Sequence, residues 1–110
     1  MKVHLIKKIT IEQFSAKHAR SRSSLEIWHN IIRYADWDDP EDILKTYGSA
    51  DLLGNGSDRV VFDIGGNNYR MICKYWFSAK TVHLYIKWIG THAEYTKLCN
   101  NNKQYVIDDY

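Results

Sequence analysis

The chain has 110 residues, of which 45% are hydrophobic, and its formal net charge at neutral pH is +2. This length and composition can support one buried core, so we expect a single domain over residues 1–110. No apolar run approaches the ~20 residues of a membrane helix, and the N-terminal residues show no leader pattern, so we expect a cytoplasmic protein without membrane contact. The small charge neither requires nor excludes a nucleic-acid partner.

The first third of the chain predicts a short strand followed by two helices. Residues 3–6 favour a strand, and Thr10 is placed to cap a helix, with Gln13 completing a capping box. Residues 21–24 offer a second cap. Apolar residues then recur at three- and four-residue steps: Leu25, Trp28, Ile31 or Ile32, and Ala35. The two helices are expected to form a hairpin that covers one face of a sheet.

A third helix start and a loop follow. Asp39 is expected to cap this helix and Pro40 to occupy its first turn, while the acidic residues after them suit the positive end of the helix dipole. The helix should end near residues 47–48. Capping alone accounts for this acidic cluster, so we expect no metal site here. Residues 50–58 should be a mobile connection, and they lack a phosphate-loop ending.

The centre of the chain predicts a three-stranded antiparallel meander. Its strands are Arg59–Ile64, Tyr69–Phe77 and residues 82–89, joined by tight turns over 65–68 and 78–81. Residues 90–95 then begin a helix with Thr91 as its cap and Glu94 in its first turn. The tail, residues 99–110, is expected either to add a short strand over 105–107 or to stay mobile.

Alternation along the strands assigns their side chains to two faces. The face expected beneath the helices is apolar: Val60, Phe62, Ile64, Tyr69, Met71, Cys73, Tyr75, Phe77, Val82, Leu84, Ile86 and Trp88. The other face mixes cations and rings: Arg59, Val61, Asp63, Arg70, Ile72, Lys74, Trp76, His83, Tyr85, Lys87 and Ile89. This second face fits either an ordinary solvated surface or a nucleic-acid contact, in which cations meet phosphates and rings stack on bases.

Side chains near the last helix suggest acid–base chemistry. His92 lies in the first turn, where it can be a simple helix-start residue or a proton-transfer group, and Tyr95 follows on the same helix face. With Arg70 and Lys74 they supply the residue types that RNA cleavage needs, namely proton-transfer groups and cations for the phosphorane charge. The other histidines and the two cysteines lack metal-ligand spacing, so we expect no metal and no cofactor.

Two motifs together resemble a known family. Residues 65–70 read Gly-Gly-Asn-Asn-Tyr-Arg and residues 90–95 read Gly-Thr-His-Ala-Glu-Tyr. The pair is similar to the HigB toxins of bacterial type II toxin–antitoxin systems, which belong to the RelE/ParE superfamily, and the resemblance covers roughly residues 1–98. It implies an α+β, RelE-like fold: two N-terminal helices packed on one face of a mostly antiparallel sheet, with a short C-terminal helix.

The resemblance also implies an activity and partners. It implies a metal-independent endoribonuclease that cleaves translated mRNA in the ribosomal A site through attack of the 2′-OH. A helix-turn-helix antitoxin would neutralise the toxin within a hetero-oligomer. Arg70, His92 and Tyr95 match catalytic positions, and Lys87 matches a basic position in the preceding strand. Thr96 stands where the family usually has Asp, and we expect it to affect helix packing more than chemistry.

Strand alternation adds Arg59 and Lys74 to Lys87 as RNA-binding candidates. Two other functions stay open beside the nuclease. One is a non-catalytic, protein-binding toxin like the ParE relatives, which would not need Arg70, His92 and Tyr95 together. The other is a degenerate toxin that serves as an antitoxin-binding corepressor. The nuclease hypothesis requires Arg70 and His92 to converge on one exposed hollow.

Overall fold

The computed structural model describes all of residues 1–110. In chain order its elements are β1 Lys2–Ile6, α1 Ile9–Lys17, α2 Arg22–Arg33, α3 Glu41–Thr46, β2 Asp51–Leu52, β3 Arg59–Ile64, β4 Tyr69–Phe77, β5 Thr81–Thr91 and α4 His92–Asn100. The strands form one sheet in the order β1-β5-β4-β3-β2, and only the β1–β5 pair is parallel. The predicted α+β fold with a mostly antiparallel sheet is confirmed.

The main core lies between the first two helices and one face of the sheet. Leu25, Trp28 and Ile32 are buried on α2, at the three- and four-residue steps of one helical face. The ring of Trp28 meets Phe62 of β3 edge to face, with 5.3 Å between the ring centroids. Because Ile32 faces the sheet, its neighbour Ile31 is left exposed, which decides between the two predicted positions.

The first two helices begin without their predicted side-chain caps. Lys8 takes the N-cap position of α1, and Thr10 is buried within the helix, so no capping box with Gln13 forms. Ser21 does take the N-cap position of α2, but its hydroxyl donates to the His18 carbonyl at 2.6 Å. The cap predicted at Thr10 is wrong, because this residue is buried inside α1. The second cap is correct in position, but the Ser21 hydroxyl bonds within the 3-10 turn Ala19–Ser21 and not to the N–H groups of α2.

The third helix begins one residue later than predicted, with Pro40 at the N-cap position in place of Asp39, and a short strand follows it. The Asp39 carboxylate still accepts a hydrogen bond from the backbone N–H of Glu41 at 3.0 Å, so it satisfies one donor of the first turn. Asp42 likewise accepts from the Asp38 N–H at 2.8 Å. In the segment predicted as a connection, Asp51–Leu52 form β2, which pairs with β3. A two-residue strand carries too little pattern to be recognised in sequence.

Strands β4 and β5 pair around an extra residue in β5. Ile72 lies opposite Trp88. The next residue of β4, Cys73, lies opposite Ile86, so Lys87 has no partner. Such a β-bulge places two residues against one and shifts the alternation of side chains by one position.

The bulge exchanges the predicted faces of two residues. Trp88 was expected beneath the helices and Ile89 on the opposite face, but Ile89 belongs to the main core. Trp88 instead packs on the far face with Val61 and Ile72, where it forms a second, smaller core. Half-buried residues from the segment after β2, from α4 and from the tail pack against this second core: Leu53, Tyr95, Leu98 and Ile107.

The tail crosses the same far face of the sheet. Residues 101–107 form turns, and no strand is present over 105–107. The Arg59 guanidinium on β3 donates to the carbonyl groups of Gln104 and Ile107, at 3.2 and 2.7 Å. Beyond them, the Asp109 N–H donates to the Lys87 carbonyl at 2.9 Å. The tail therefore links β3 to the bulge in β5.

Gly90 provides a test of this packing, because its missing side chain makes room for Trp88. A Cβ atom at position 90 would lie 2.4 and 2.6 Å from two ring carbons of Trp88. Gly90→Ala is therefore expected to lower the free energy of unfolding by about 1–3 kcal/mol in urea denaturation, as overpacking does. Gly48→Ala is the matched control, since nothing lies within 4 Å of that position. It should change stability by less than about 0.5 kcal/mol.

Measuring Gly90→Ala in a Trp88→Leu background tests whether contact with the Trp88 ring causes the loss of stability. Because leucine lacks the two ring carbons, Gly90→Ala should cost less there than in the natural chain. Equal costs in both backgrounds would contradict the steric explanation and would point to backbone conformation at position 90 instead.

Candidate functional site

The last helix begins at the residue after β5 ends, and a reciprocal cap fixes its first turn. The Thr91 hydroxyl accepts from the Glu94 N–H at 3.2 Å, and the Glu94 carboxylate accepts from the Thr91 N–H at 2.8 Å. This confirms the predicted cap at Thr91 and forms a complete capping box. His92 is exposed in that first turn, and its N–H donates to the Asn68 carbonyl at 3.2 Å. The helix start is thereby tied to the turn between β3 and β4.

Arg70 lies at the same end of the sheet, with its guanidinium held by protein groups. It pairs across the strands with Gly90, two residues before α4 begins. Its Nε lies 3.0 Å from an Asp63 carboxylate oxygen, and its Nη2 donates to the Asn67 side chain at 2.9 Å. A further donor contacts the Tyr69 carbonyl at 3.1 Å, and Arg70 is only 8% exposed. In this arrangement the side chain braces the turn. The exposed hollow predicted to hold both Arg70 and His92 is therefore wrong for Arg70, which is buried, whereas His92 is exposed.

Tyr95 lies one helical turn after His92 and faces the second core. Its ring packs at a tilt against Trp88, with 6.1 Å between the ring centroids. Burial is the main cause that raises the pKa of the Tyr95 phenol, and Cys99 acts in the same direction. The Arg70 charge is close enough to act in the opposite direction. The phenol is therefore protonated at neutral pH, which is the form that a proton donor needs, and its raised pKa makes it a weaker acid than a free tyrosine.

The three predicted RNA-binding cations have different surroundings. Arg59 is only 6% exposed beneath the tail, and burial lowers the pKa of its guanidinium. The Lys87 ammonium pairs with the Asp108 carboxylate at 3.0 Å. Lys74, the cross-strand partner of Arg59, is exposed. The structure therefore leaves Lys74 accessible, whereas the tail engages Arg59 and Lys87.

The structure adds residues that the sequence analysis missed. Lys97 and Lys103 line a cleft of about 330 Å³ beside α4, together with Trp88 and Leu98. No sequence pattern marks this cleft, because the tail and the bulge bring its walls together. Asp63, by contrast, is the direct partner of Arg70 in the β3–β4 hairpin. The tight turn fixes that register, so this ion pair could have been predicted.

Thr96 and the thiols contribute to packing. The Thr96 hydroxyl donates to the His92 carbonyl one turn earlier, at 3.1 Å. Cys73 is fully buried and Cys99 half-buried, and neither forms a disulfide. No cluster of three or more His, Cys, Asp or Glu side chains is arranged to hold a metal ion. None of the helices combines the length and the hydropathy that crossing a membrane demands.

Comparison with known proteins identifies the family. The family model HigB_toxin, described as the RelE-like toxic component of a toxin-antitoxin system, matches residues 21–98. The chain belongs to this HigB toxin family. The matched span runs from the start of α2 into α4, so it contains Arg70, His92 and Tyr95 and leaves the tail outside. The resemblance predicted from the two motifs is confirmed at the level of the family.

Curated relatives of this HigB family member carry a consistent name. The mRNA interferase HigB of Escherichia coli O6:H1 (strain CFT073) is 30% identical over 96 residues, which cover 87% of this chain and 91% of the relative. The mRNA interferase toxin HigB of Escherichia coli K12 is 26% identical over 93 residues, covering 84% and 88%. The mRNA interferase HigB of Shigella flexneri gives the same figures.

The contribution of Arg59 to holding the tail can be tested by comparing a variant of Arg59 with the same variant of its cross-strand partner Lys74. Arg59→Met removes two hydrogen bonds and leaves both tail carbonyl groups without this donor, so we expect the free energy of unfolding to fall by about 1–3 kcal/mol. Amide hydrogen exchange over 101–110 should accelerate. Lys74→Met, on the exposed cross-strand partner, should change stability by less than about 0.5 kcal/mol. Unaltered exchange in Arg59→Met would show that other contacts hold the tail.

Proposed function

We propose that this HigB family member is a toxin that cleaves translated mRNA as a metal-independent endoribonuclease. The observation that carries the proposal is the placement of His92 and Tyr95 one turn apart at the start of α4, beside Arg70. An exposed imidazole, a protonated phenol and a fixed positive charge are the groups that 2′-OH attack requires. The name mRNA interferase, borne by relatives in Escherichia coli and Shigella flexneri, supports the same substrate.

In the proposed reaction, His92 accepts the proton of the RNA 2′-OH. The 2′ oxygen attacks the adjacent phosphorus, the bond from phosphorus to the 5′ oxygen breaks, and Tyr95 donates its proton to that leaving oxygen. The products are a 2′,3′-cyclic phosphate and a 5′-OH end. The positive end of the α4 dipole and the Arg70 charge stabilise the phosphorane. Asp63 and Asn67 keep Arg70 in place for this electrostatic role.

Substrate and partners follow from the same assignment. Lys74 contacts phosphates of the message directly, whereas Lys87 exchanges Asp108 for a phosphate when RNA binds. Arg59 contributes through the tail that it holds. The message is engaged in the ribosomal A site, in the cytoplasm. A helix-turn-helix antitoxin neutralises the toxin in a hetero-oligomer, and the family description as the toxic component of a toxin-antitoxin system supports such a partner.

A non-catalytic, protein-binding toxin is the second candidate. One observation favours it: the donors of Arg70 are already engaged by Asp63, Asn67 and Tyr69. A degenerate toxin that acts as a corepressor would share this feature. The two candidates differ from the nuclease in one measurable respect, because neither needs His92 for its effect.

The proposed role of His92 predicts a loss of cleavage in His92→Gln. We expect the rate of message cleavage in a translation extract to fall by about 100- to 1000-fold, because the proton acceptor is lost while the helix start keeps a polar residue. His29→Gln, on α2, is the control and should cleave at the natural rate. Cleaved ends should carry a 2′,3′-cyclic phosphate, and a 2′-deoxy nucleotide at the scissile position should block the reaction. Full activity in His92→Gln would refute the proposal.

The raised pKa of Tyr95 predicts how the cleavage rate depends on pH between about pH 7 and 9. No fall is expected on the basic side, because the raised pKa of Tyr95 keeps the phenol protonated there. Tyr95→Phe should lower the rate throughout this range. A basic-side fall that disappears in Tyr95→Phe would contradict the raised pKa, and an unchanged rate in Tyr95→Phe would refute Tyr95 as the donor.

A further inference from the structure

The half of the far sheet face that the tail leaves open carries a row of rings. His4 of β1 lies directly opposite His83 of β5, and His83 lies directly opposite Trp76 of β4. The ring centroids of His4 and His83 are 6.3 Å apart, and those of His83 and Trp76 are 5.0 Å apart. We call His4, His83 and Trp76 the aromatic row. It forms a continuous strip of ring surfaces across three neighbouring strands.

Trp76 differs from every other tryptophan of the chain in its exposure. Its surface is 56% exposed, whereas the other three tryptophans are buried: Trp28, Trp37 and Trp88. Its strand neighbour on the same face, Lys74, is exposed as well. Neither the main core nor the second core includes Trp76, so its ring is available to a partner molecule.

The surroundings of the aromatic row are basic. The ladder positions on this half of the face are Lys2, His4, Ile6, Lys74, Trp76, Thr81, His83 and Tyr85, and none is acidic. The Lys87 ammonium lies 5.7 Å from the centroid of the Tyr85 ring at the border with the tail. Two carboxylates border this half, and both are paired: Asp108 of the tail with Lys87, and Asp36, which bridges Lys2 at the sheet edge, with the N-terminal amine. The open half therefore favours an anionic partner.

We propose that the aromatic row binds single-stranded RNA of the message, by stacking unpaired bases while Lys74 and Lys2 meet its phosphates. Rings on a flat sheet accept the faces of splayed bases, and a duplex hides those faces in its own stack. Trp76 lies six residues along β4 from Arg70, which is about 20 Å at the rise of an extended strand. The row therefore holds RNA at a distance from the scissile bond.

This inference rests on the proposed function in one respect, namely that RNA is the ligand, and its test does not depend on cleavage. The probe is a ten-nucleotide oligoadenylate with 2′-O-methyl groups, which has no 2′-OH to attack. Because Trp76 is the exposed tryptophan, stacking of adenine should quench the intrinsic fluorescence during a titration. A labelled copy of the same oligonucleotide reports affinity through fluorescence anisotropy.

Variants of Trp76 decide the inference. Trp76→Ala should abolish the quenching and weaken binding by about 5- to 100-fold, the range for loss of one stacked base. Trp76→Phe should lose the quenching but bind within a few-fold of the natural chain, because phenylalanine still stacks. If the natural chain shows no quenching, or if Trp76→Ala binds the oligonucleotide as tightly as the natural chain, the inference is overturned.

Two controls separate stacking from charge and from general surface effects. Ile27→Ala removes an apolar side chain that is 62% exposed on α2, in the helix layer on the other side of the sheet, and should leave binding unchanged. Lys74→Ala should weaken binding and reduce its salt dependence, since one phosphate contact is lost. A duplex RNA of the same length should quench less than the single strand; equal quenching would overturn the stacking mode.

The proposed nuclease activity is tested separately from the stacking row. His92→Gln should bind the oligonucleotide like the natural chain, although its cleavage is expected to be lost. Retained cleavage in His92→Gln, together with weakened binding in Trp76→Ala, would refute the mechanism and support the stacking row. If Trp76→Ala binds the oligonucleotide like the natural chain and His92→Gln loses cleavage, the stacking row is refuted and the mechanism is supported.

Discussion

One extra residue in the longest strand determines how the functional end of this molecule is built. Lys87 has no partner on β4, so the residues after it change faces relative to those before it. Without this bulge, the indole of Trp88 would point into the helix-covered core and Ile89 would point away from it. With it, Trp88 becomes the centre of a second core on the far face, and α4 has an apolar surface to pack against.

The tail depends on the same irregularity. The Lys87 carbonyl accepts from the Asp109 N–H, and the Lys87 ammonium pairs with Asp108, so both ends of this residue hold the tail. Arg59 holds its other end from β3. Residues 101–110 thereby divide the far face into a covered part next to α4 and an open part that carries the aromatic row. This division separates the proposed cleavage site from the proposed stacking surface.

The proposed cleavage site combines rigid support with one accessible group. The capping box and the bond from the His92 N–H to the Asn68 carbonyl fix the start of α4, and Arg70 is clamped by Asp63 and Asn67. Rigidity of this kind fits electrostatic stabilisation, in which charges and dipoles are placed before the reaction begins. It also means that Arg70 acts through its fixed charge, since its donors are already used within the protein.

The sequence by itself determined several features that depend on neighbours along the chain. The meander, the helix start at Thr91 and the Asp39 hydrogen bond before α3 follow from turn residues, alternation and capping chemistry, all of which act over a few residues. The Arg70 and His92 motifs were sufficient to predict the family. Only the tertiary structure decided the faces of Trp88 and Ile89, the engagement of Arg59 by the tail and the alignment of His4 with Trp76. A bulge, a tail contact and a strand register are fixed by packing between distant segments, and local sequence patterns carry no record of that packing.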